Sequence, residues 1–208
     1  MVHRRELDGR ELVFGVQGAL WLNAMTWWDH ETGSVWSQPL GEAIAGPLKG
    51  SRLELLPMQL THWSTWRAAH PETLALDAPG RPSSFDLRQM VIVVELVDEA
   101  VAYPIPALRK YGVANDTVAG VDVAVVIDPN DEERWTVFSR RLDDRVVELQ
   151  IVDGALIDAE TGTEWHPASG VALEGLLAGT TLDQLPGFTA FPRDFRSFWP
   201  RGRLWEDG

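Results

Sequence analysis

The chain has 208 residues, 45% of them apolar, with 31 acidic against 18 basic side chains and a formal net charge of −13. That balance argues against duplex DNA and anionic membrane as partners, since both need a basic footprint. Cysteine is absent, which removes disulfides, thiolate metal sites and cysteine nucleophiles from residues 1–208.

No apolar run reaches the roughly 18 residues needed to span a bilayer, and the start "MVHRRELDGRELVFG" lacks the apolar centre of a signal peptide. The chain therefore reads as soluble and cytoplasmic, or as exported if a longer N-terminus precedes it. In chain order, "RELDGRELVF" (Arg5 to Phe14) predicts a hairpin turning at Asp-Gly. Strands follow at Leu12–Val16, Leu20–Trp28 and Val35–Gln38. Next comes "GEAIAGPLKG", Gly41 to Gly50, whose glycines have the spacing of a phosphate-binding loop. Pro47 stands where that loop needs its lysine, and it also removes an amide from the cradle. This loop turns a corner.

A short helix is predicted at His62–His70, after a Thr61 cap and before Pro71. The Pro-, Gly- and Ser-rich "LDAPGRPSS", Leu76 to Ser84, reads as a linker. Beyond it, strands are predicted at Met90–Val97, Val121–Ile127, Trp135–Arg140 and Val146–Ile151, with helices at Pro106–Tyr111 and Pro192–Trp199.

The chain also repeats itself. At an offset of 129 residues, "DHETGSVW" (Asp29 to Trp36) falls on "DAETGTEW" (Asp158 to Trp165), and Gly41, Gly46 and Gly50 fall on Gly170, Gly175 and Gly179. Between Asp29 and Pro71 there are 15 identities in 43 ungapped positions. Upstream the match continues after a six-residue length change, with Arg5–Phe14 on Arg140–Leu149 at an offset of 135. Both copies keep turn glycines, a Trp and core leucines, which are features of packing. The expected fold is α+β and mainly β: two related repeat units, the first incomplete, with a few short helices. Boundaries are expected at residues 1–76 for the partial unit, 77–85 for the linker and 86–208 for the complete unit.

"LVFGVQGALW", "WWDHETGSVWSQPLGEAIAGPLKGSRLELLP", "WRAAHP" and "AYPIPALRKYGVANDTVAGVDVAVV" together resemble the prokaryotic family called domain of unknown function 3179. The resemblance implies thiol or selenol redox chemistry for members carrying a C-P-x-C-like element after the strand that follows N-D-T. Here that element would fall on "DPND", Asp128 to Asp131, while Tyr111 and Gly112 replace a histidine and a glutamate of the family pattern. A carboxylate cannot carry out disulfide exchange.

Other clusters read as structural. Asp128, Asp131, Glu132 and Glu133 suggest a solvated turn over a divalent-metal loop, because the Gly hinge and terminal Glu of a calcium loop are missing. His62 and His70 have Phe191 and Trp199 as counterparts, which points to packing with Trp63 and Trp66; no metal site and no cofactor are predicted. His30 belongs to an exposed turn. Trp21, Trp27, Trp28 and Trp36 crowd into sixteen residues and read first as core. The polar residues beside them, Asn23, Asp29, Ser37 and Gln38, together with Trp36, are the candidate ligand-facing set.

Three functions remain open: a non-catalytic binding or structural module; part of a thiol or selenol redox protein whose cysteine-bearing half lies outside this chain; or a carbohydrate- or peptide-binding domain using the Trp-rich strands. The expected partner is a small molecule or a protein, without nucleic acid or membrane insertion, and a monomer is favoured over a homodimer.

Overall fold

The computed structural model describes residues 1–75 and 86–206. The predicted linker lies outside them. Among the described residues the fold is mainly β with three short helices, and its first part is built from hairpins. Strand β1 (Val2–His3) leads to β2 (Glu6–Leu7) and β3 (Arg10–Glu11), which turn at Asp8 and Gly9 with φ of 50° and 72°. Both residues tolerate the left-handed region that a tight hairpin needs. β4 (Phe14–Trp21), β5 (Ala24–Asp29), β6 (Val35–Ser37) and β7 (Glu42–Ala45) form a four-stranded antiparallel sheet in that order. β8 (Leu55–Leu56) returns to pair with β1, and α1 (Trp63–Ala69) follows.

Two expectations change here. Leu20–Trp28 is not one strand, because Leu22 and Asn23 take φ of 51° and 67° and reverse the chain between β4 and β5. Asn at such a turn is favourable; Leu there carries strain that its apolar letter hides. Thr61 does not cap α1 either. The N-cap is His62, with no side-chain cap, and the Thr61 hydroxyl accepts from the Arg134 guanidinium at 3.3 Å.

The second part begins with an element that the first does not show. β9 (Val91–Leu96) and β10 (Glu99–Pro104) form a hairpin, α2 (Ile105–Tyr111) starts around Pro106, and β11 (Val113–Val118), β12 (Val121–Asp128) and β13 (Asp131–Ser139) form a second meander. Gly112 ends α2 at φ 78°, the usual glycine stop. Strands β10 and β11 were not among the predicted elements.

From there the second part retraces the first. β14 (Arg141–Leu142) and β15 (Arg145–Val146) match β2 and β3. The sheet of β16 (Leu149–Val152), β17 (Ala155–Asp158), β18 (Glu164–Trp165) and β19 (Ala172–Glu174) matches β4 to β7. β20 (Phe188–Ala190), α3 (Pro192–Phe198) and β21 (Arg203–Leu204) complete it. Equivalent turn bonds recur: Leu53 N to Gly41 O and Leu182 N to Gly170 O are both 2.8 Å. Gly46 and Gly175 have φ of 93° and 104°, and a Cβ at either would stand 2.6 or 2.7 Å from the Cα of Ser34 or Thr163. Only glycine fits both the angle and the approach.

The units differ in hairpin length. β16 and β17 turn tightly at Asp153-Gly154, whereas β4 and β5 run past that level to the tip at Leu22-Asn23. This is the six-residue length change. Its tip reaches the other unit, with the Trp21 and Phe198 rings 5.4 Å apart at 69°.

The largest core lies in the second unit, where Ile92, Val94, Tyr103, Leu108, Val125 and Val137 are fully buried. Beneath the second four-stranded sheet, Phe138, Leu149, Leu156 and Trp165 pack on Val113, Ala124 and Val126. In the first unit Leu12, Trp36, Ala43 and Leu53 form a smaller cluster. No helix among the described residues is long and apolar enough to cross a membrane.

Candidate functional site

The polar residues collect where the β12–β13 hairpin meets α1. β12 ends on Asp128, the turn is Pro129-Asn130, and β13 starts on Asp131. Asp128 is 5% exposed: its Oδ1 accepts from the Asn130 amide at 2.9 Å and its Oδ2 from the Arg134 guanidinium at 3.1 Å. The turn is therefore not uniformly solvated as expected. Arg134 shares its guanidinium between this carboxylate and Thr61, which pins the start of α1 to the hairpin. A bridge from Leu60 to Trp135 holds the same junction through the backbone.

This pinning brings His62 to the hairpin, with its Nε2 3.1 Å from Glu133 Oε2 and 3.7 Å from Asp131 Oδ1. On the other side Arg109 of α2 donates to the Glu132 carbonyl at 3.0 and 3.2 Å. Arg88 binds Asp86 at 2.9 Å, and that contact holds the Asp86 carboxyl below the usual carboxylate range. The result is an open cleft of about 720 Å³ lined by His62, Asp86, Arg88, Arg109, Asp131 and Glu133, with Leu87 and Glu132. Its size lies within the range of small-ligand pockets, but its walls are more charged than most. Both signs of charge face one space. Among the described residues, no group of three or more His, Asp or Glu side chains is arranged to hold a metal ion.

His62 thus has a polar setting and not the packing role expected of it. α1 contributes no buried residue; Trp63 and Trp66 are 45% and 40% exposed, and His70 lies on Trp66 with ring centroids 4.1 Å apart. The charge run of the hairpin is plain in the sequence, whereas the cleft is not. Its walls come from residues far apart in the chain, and no local spacing announces them.

The candidate ligand-facing residues separate into two groups. Asp29, Trp36 and Ser37 are 0%, 0% and 1% exposed, inside the first unit. The Trp36 indole donates to Asp29 Oδ2 at 2.8 Å, while Thr32 donates from its amide and hydroxyl to Asp29 Oδ1 at 2.6 and 2.7 Å. Burial pushes the Asp29 carboxyl up, but these bonds and the Ser34 amide outweigh it and hold it below the usual carboxylate range. Asn23 and Gln38 instead line a cavity of about 250 Å³ between the long hairpin and α3, together with Met25, Phe188 and Trp199. The structure does not bring the five together at one surface. Of the crowded tryptophans, Trp36 is core, Trp28 stacks on exposed His30 at 4.3 Å and 7°, and Trp21 rests on Phe198.

Searches of curated proteins and of solved structures return no match. A family model does match, twice: the one described as "Protein of unknown function (DUF3179)" covers residues 1–84 and again residues 76–202. The two matches fall on the two units whose strands and turns repeat. The chain belongs to the DUF3179 family.

Proposed function

We propose that the chain is a non-catalytic binding module and that its ligand is a small zwitterion, such as an amino acid or the end of a short peptide. The observation that carries this reading is the convergence on one cleft of charged side chains of both signs from separate elements: Arg88 with its partner Asp86, Arg109 held on the Glu132 carbonyl, and Asp131 and Glu133 beside His62. A guanidinium recognises a carboxylate by its fork of donors. The carboxylates offer an ammonium group its acceptors. A thiol redox role for residues 1–208 finds no support, because they contain no cysteine.

The test is titration calorimetry of the purified chain with a panel of amino acids and dipeptides, with acetate and methylamine as single-charge controls. Saturable heat from a zwitterion but not from the controls, lost in Arg109→Ala, is the expected result. Binding that is unaffected by both Arg109→Ala and Glu133→Gln overturns it, as does a panel with no response.

A further inference from the structure

The duplication allows each surface of the first unit to be compared with its filled counterpart in the second. His3, Phe14, Trp27 and Leu53 correspond to Phe138, Leu149, Leu156 and Leu182 at the two offsets. In the second unit those four residues are 0–1% exposed, packed on Val113, Ala124 and Val126 of the β11–β12 hairpin. In the first unit the same four positions, with Val2 and Arg5, line an open groove of about 270 Å³. The backbone shows the same contrast. β12 pairs with β13 through Ala124 and Phe138, and the Asn115 side chain clasps Leu149 by donating to its carbonyl at 2.7 Å and accepting from its amide at 3.1 Å. Among the described residues β1, the counterpart of the end of β13, pairs with β8 alone, and no side chain takes the place of Asn115 at Phe14. Val16, whose counterpart Ile151 packs on Gly112, is 70% exposed.

We propose that this groove docks a β-hairpin of the Val113–Asp128 type presented by a separate polypeptide. One strand adds to the free edge of β1, as in strand-addition recognition. Both strands turn small or β-branched apolar side chains onto Phe14 and Trp27, and the other strand places an amide side chain on the Phe14 backbone, as β12 and β11 do in the second unit. A second copy of this chain is not the occupant, because its own hairpin is already consumed: Val113, Ala124 and Val126 are 9%, 0% and 0% exposed. Exposure on α1 agrees independently. Phe195 of α3 is 1% exposed beneath the β9–β10 hairpin, whereas its counterpart Trp66 is 40% exposed.

The experiment uses the full chain and a fluorescein-labelled synthetic peptide of residues 113–128, followed by fluorescence anisotropy. Saturable one-to-one binding is expected, with a scrambled peptide inert. The Asn115→Ala peptide should bind about tenfold more weakly, as expected when two hydrogen bonds are lost. Val16→Asp in the receptor, at an exposed position that leaves folding intact, should weaken binding by a similar factor, while Val152→Asp in the other unit should not. Absence of saturation, equal binding of the scrambled peptide, or indifference to Val16→Asp overturns the proposal. So does a dimer of the unliganded chain in sedimentation that Val16→Asp disperses, which would give the groove to a second copy.

Discussion

The two units hold the same aspartate knot with different partners. In the first, Asp29 takes the Trp36 indole, and the amide of Val13 goes to the carboxylate of Glu31 at 3.1 Å from both oxygens. In the second, Asp158 Oδ1 accepts the amide of Glu148, the counterpart of Val13, at 3.0 Å, while the buried Trp165 indole nitrogen has no partner among the described residues. The threonine parts are conserved: Thr32 and Thr161 each reach the aspartate and the next hydroxyl, Ser34 or Thr163. The fold therefore requires a carboxylate that organises this turn, but not one fixed set of donors. A side chain's worth depends on what surrounds its unit, and in the first unit less surrounds it.

The largest expected difference lies in the helices. Phe195→Ala should cost about 3–5 kcal/mol, because it empties a packed site beneath β9 and β10. Trp66→Ala, at the equivalent position, gives up only its contacts with His70 and Thr73 and should cost about 1 kcal/mol. Urea unfolding of the two variants measures both, and equal losses would mean that α1 is covered in solution.

The glycine pair should behave alike. Gly46→Ala and Gly175→Ala each force a Cβ into a positive φ and against a backbone Cα. A loss of about 2 kcal/mol or more is expected for each. Gly50→Ala, at φ 91° with nothing near its Cβ, should lose only about 1 kcal/mol. Thermal melts that rank Gly50 with the other two would remove close approach as the reason for the motif.

The indoles should separate again. Trp36→Phe gives up the bond to Asp29 and should cost about 1–2 kcal/mol beyond its lost volume. Trp165→Phe gives up no indole hydrogen bond and should cost less. Because Asp29 is held low, its contribution is present above the unfolded carboxylate value of about 4 and is lost as pH falls through the folded value.

The smallest effect is at His3. Its Nε2 donates to the Gln38 carbonyl at 2.9 Å, and burial holds the ring below its ordinary range. A depressed histidine binds its proton more readily when unfolded, so stability should fall as pH drops below about 6.5. His3→Phe, which installs the second unit's residue, should flatten that part of the profile in melts run from pH 8 to pH 5.

Much of this comparison was legible in the residues. A constant offset through Asp29, Trp36, Gly41, Gly46 and Gly50 could only mean one backbone used twice, because turn glycines and core aromatics answer to local geometry. What was not legible depended on neighbours. Trp66 and Phe195 are both large aromatics, and no pattern within seven residues tells a covered helix from an uncovered one. β10 ends at Pro104 and runs straight into Ile105-Pro106, which masked its alternation. The strained turn at Leu22-Asn23 has no glycine to mark it. The charged cleft depends on Arg134 drawing Thr61 and His62 to a hairpin that lies some seventy residues away in sequence.

The long first hairpin has a mechanical consequence. Its tip holds Trp21 against Phe198, while the base of the same unit is tied to the other by the Gln184 side chain, which donates to the Met58 carbonyl at 3.1 Å, and by Arg52 on Glu95 at 3.2 Å. Two bodies joined at separated points resist twisting in a way that a single hinge cannot. Six inserted residues thus act as a strut, stiffening the pair against torsion without adding to either core.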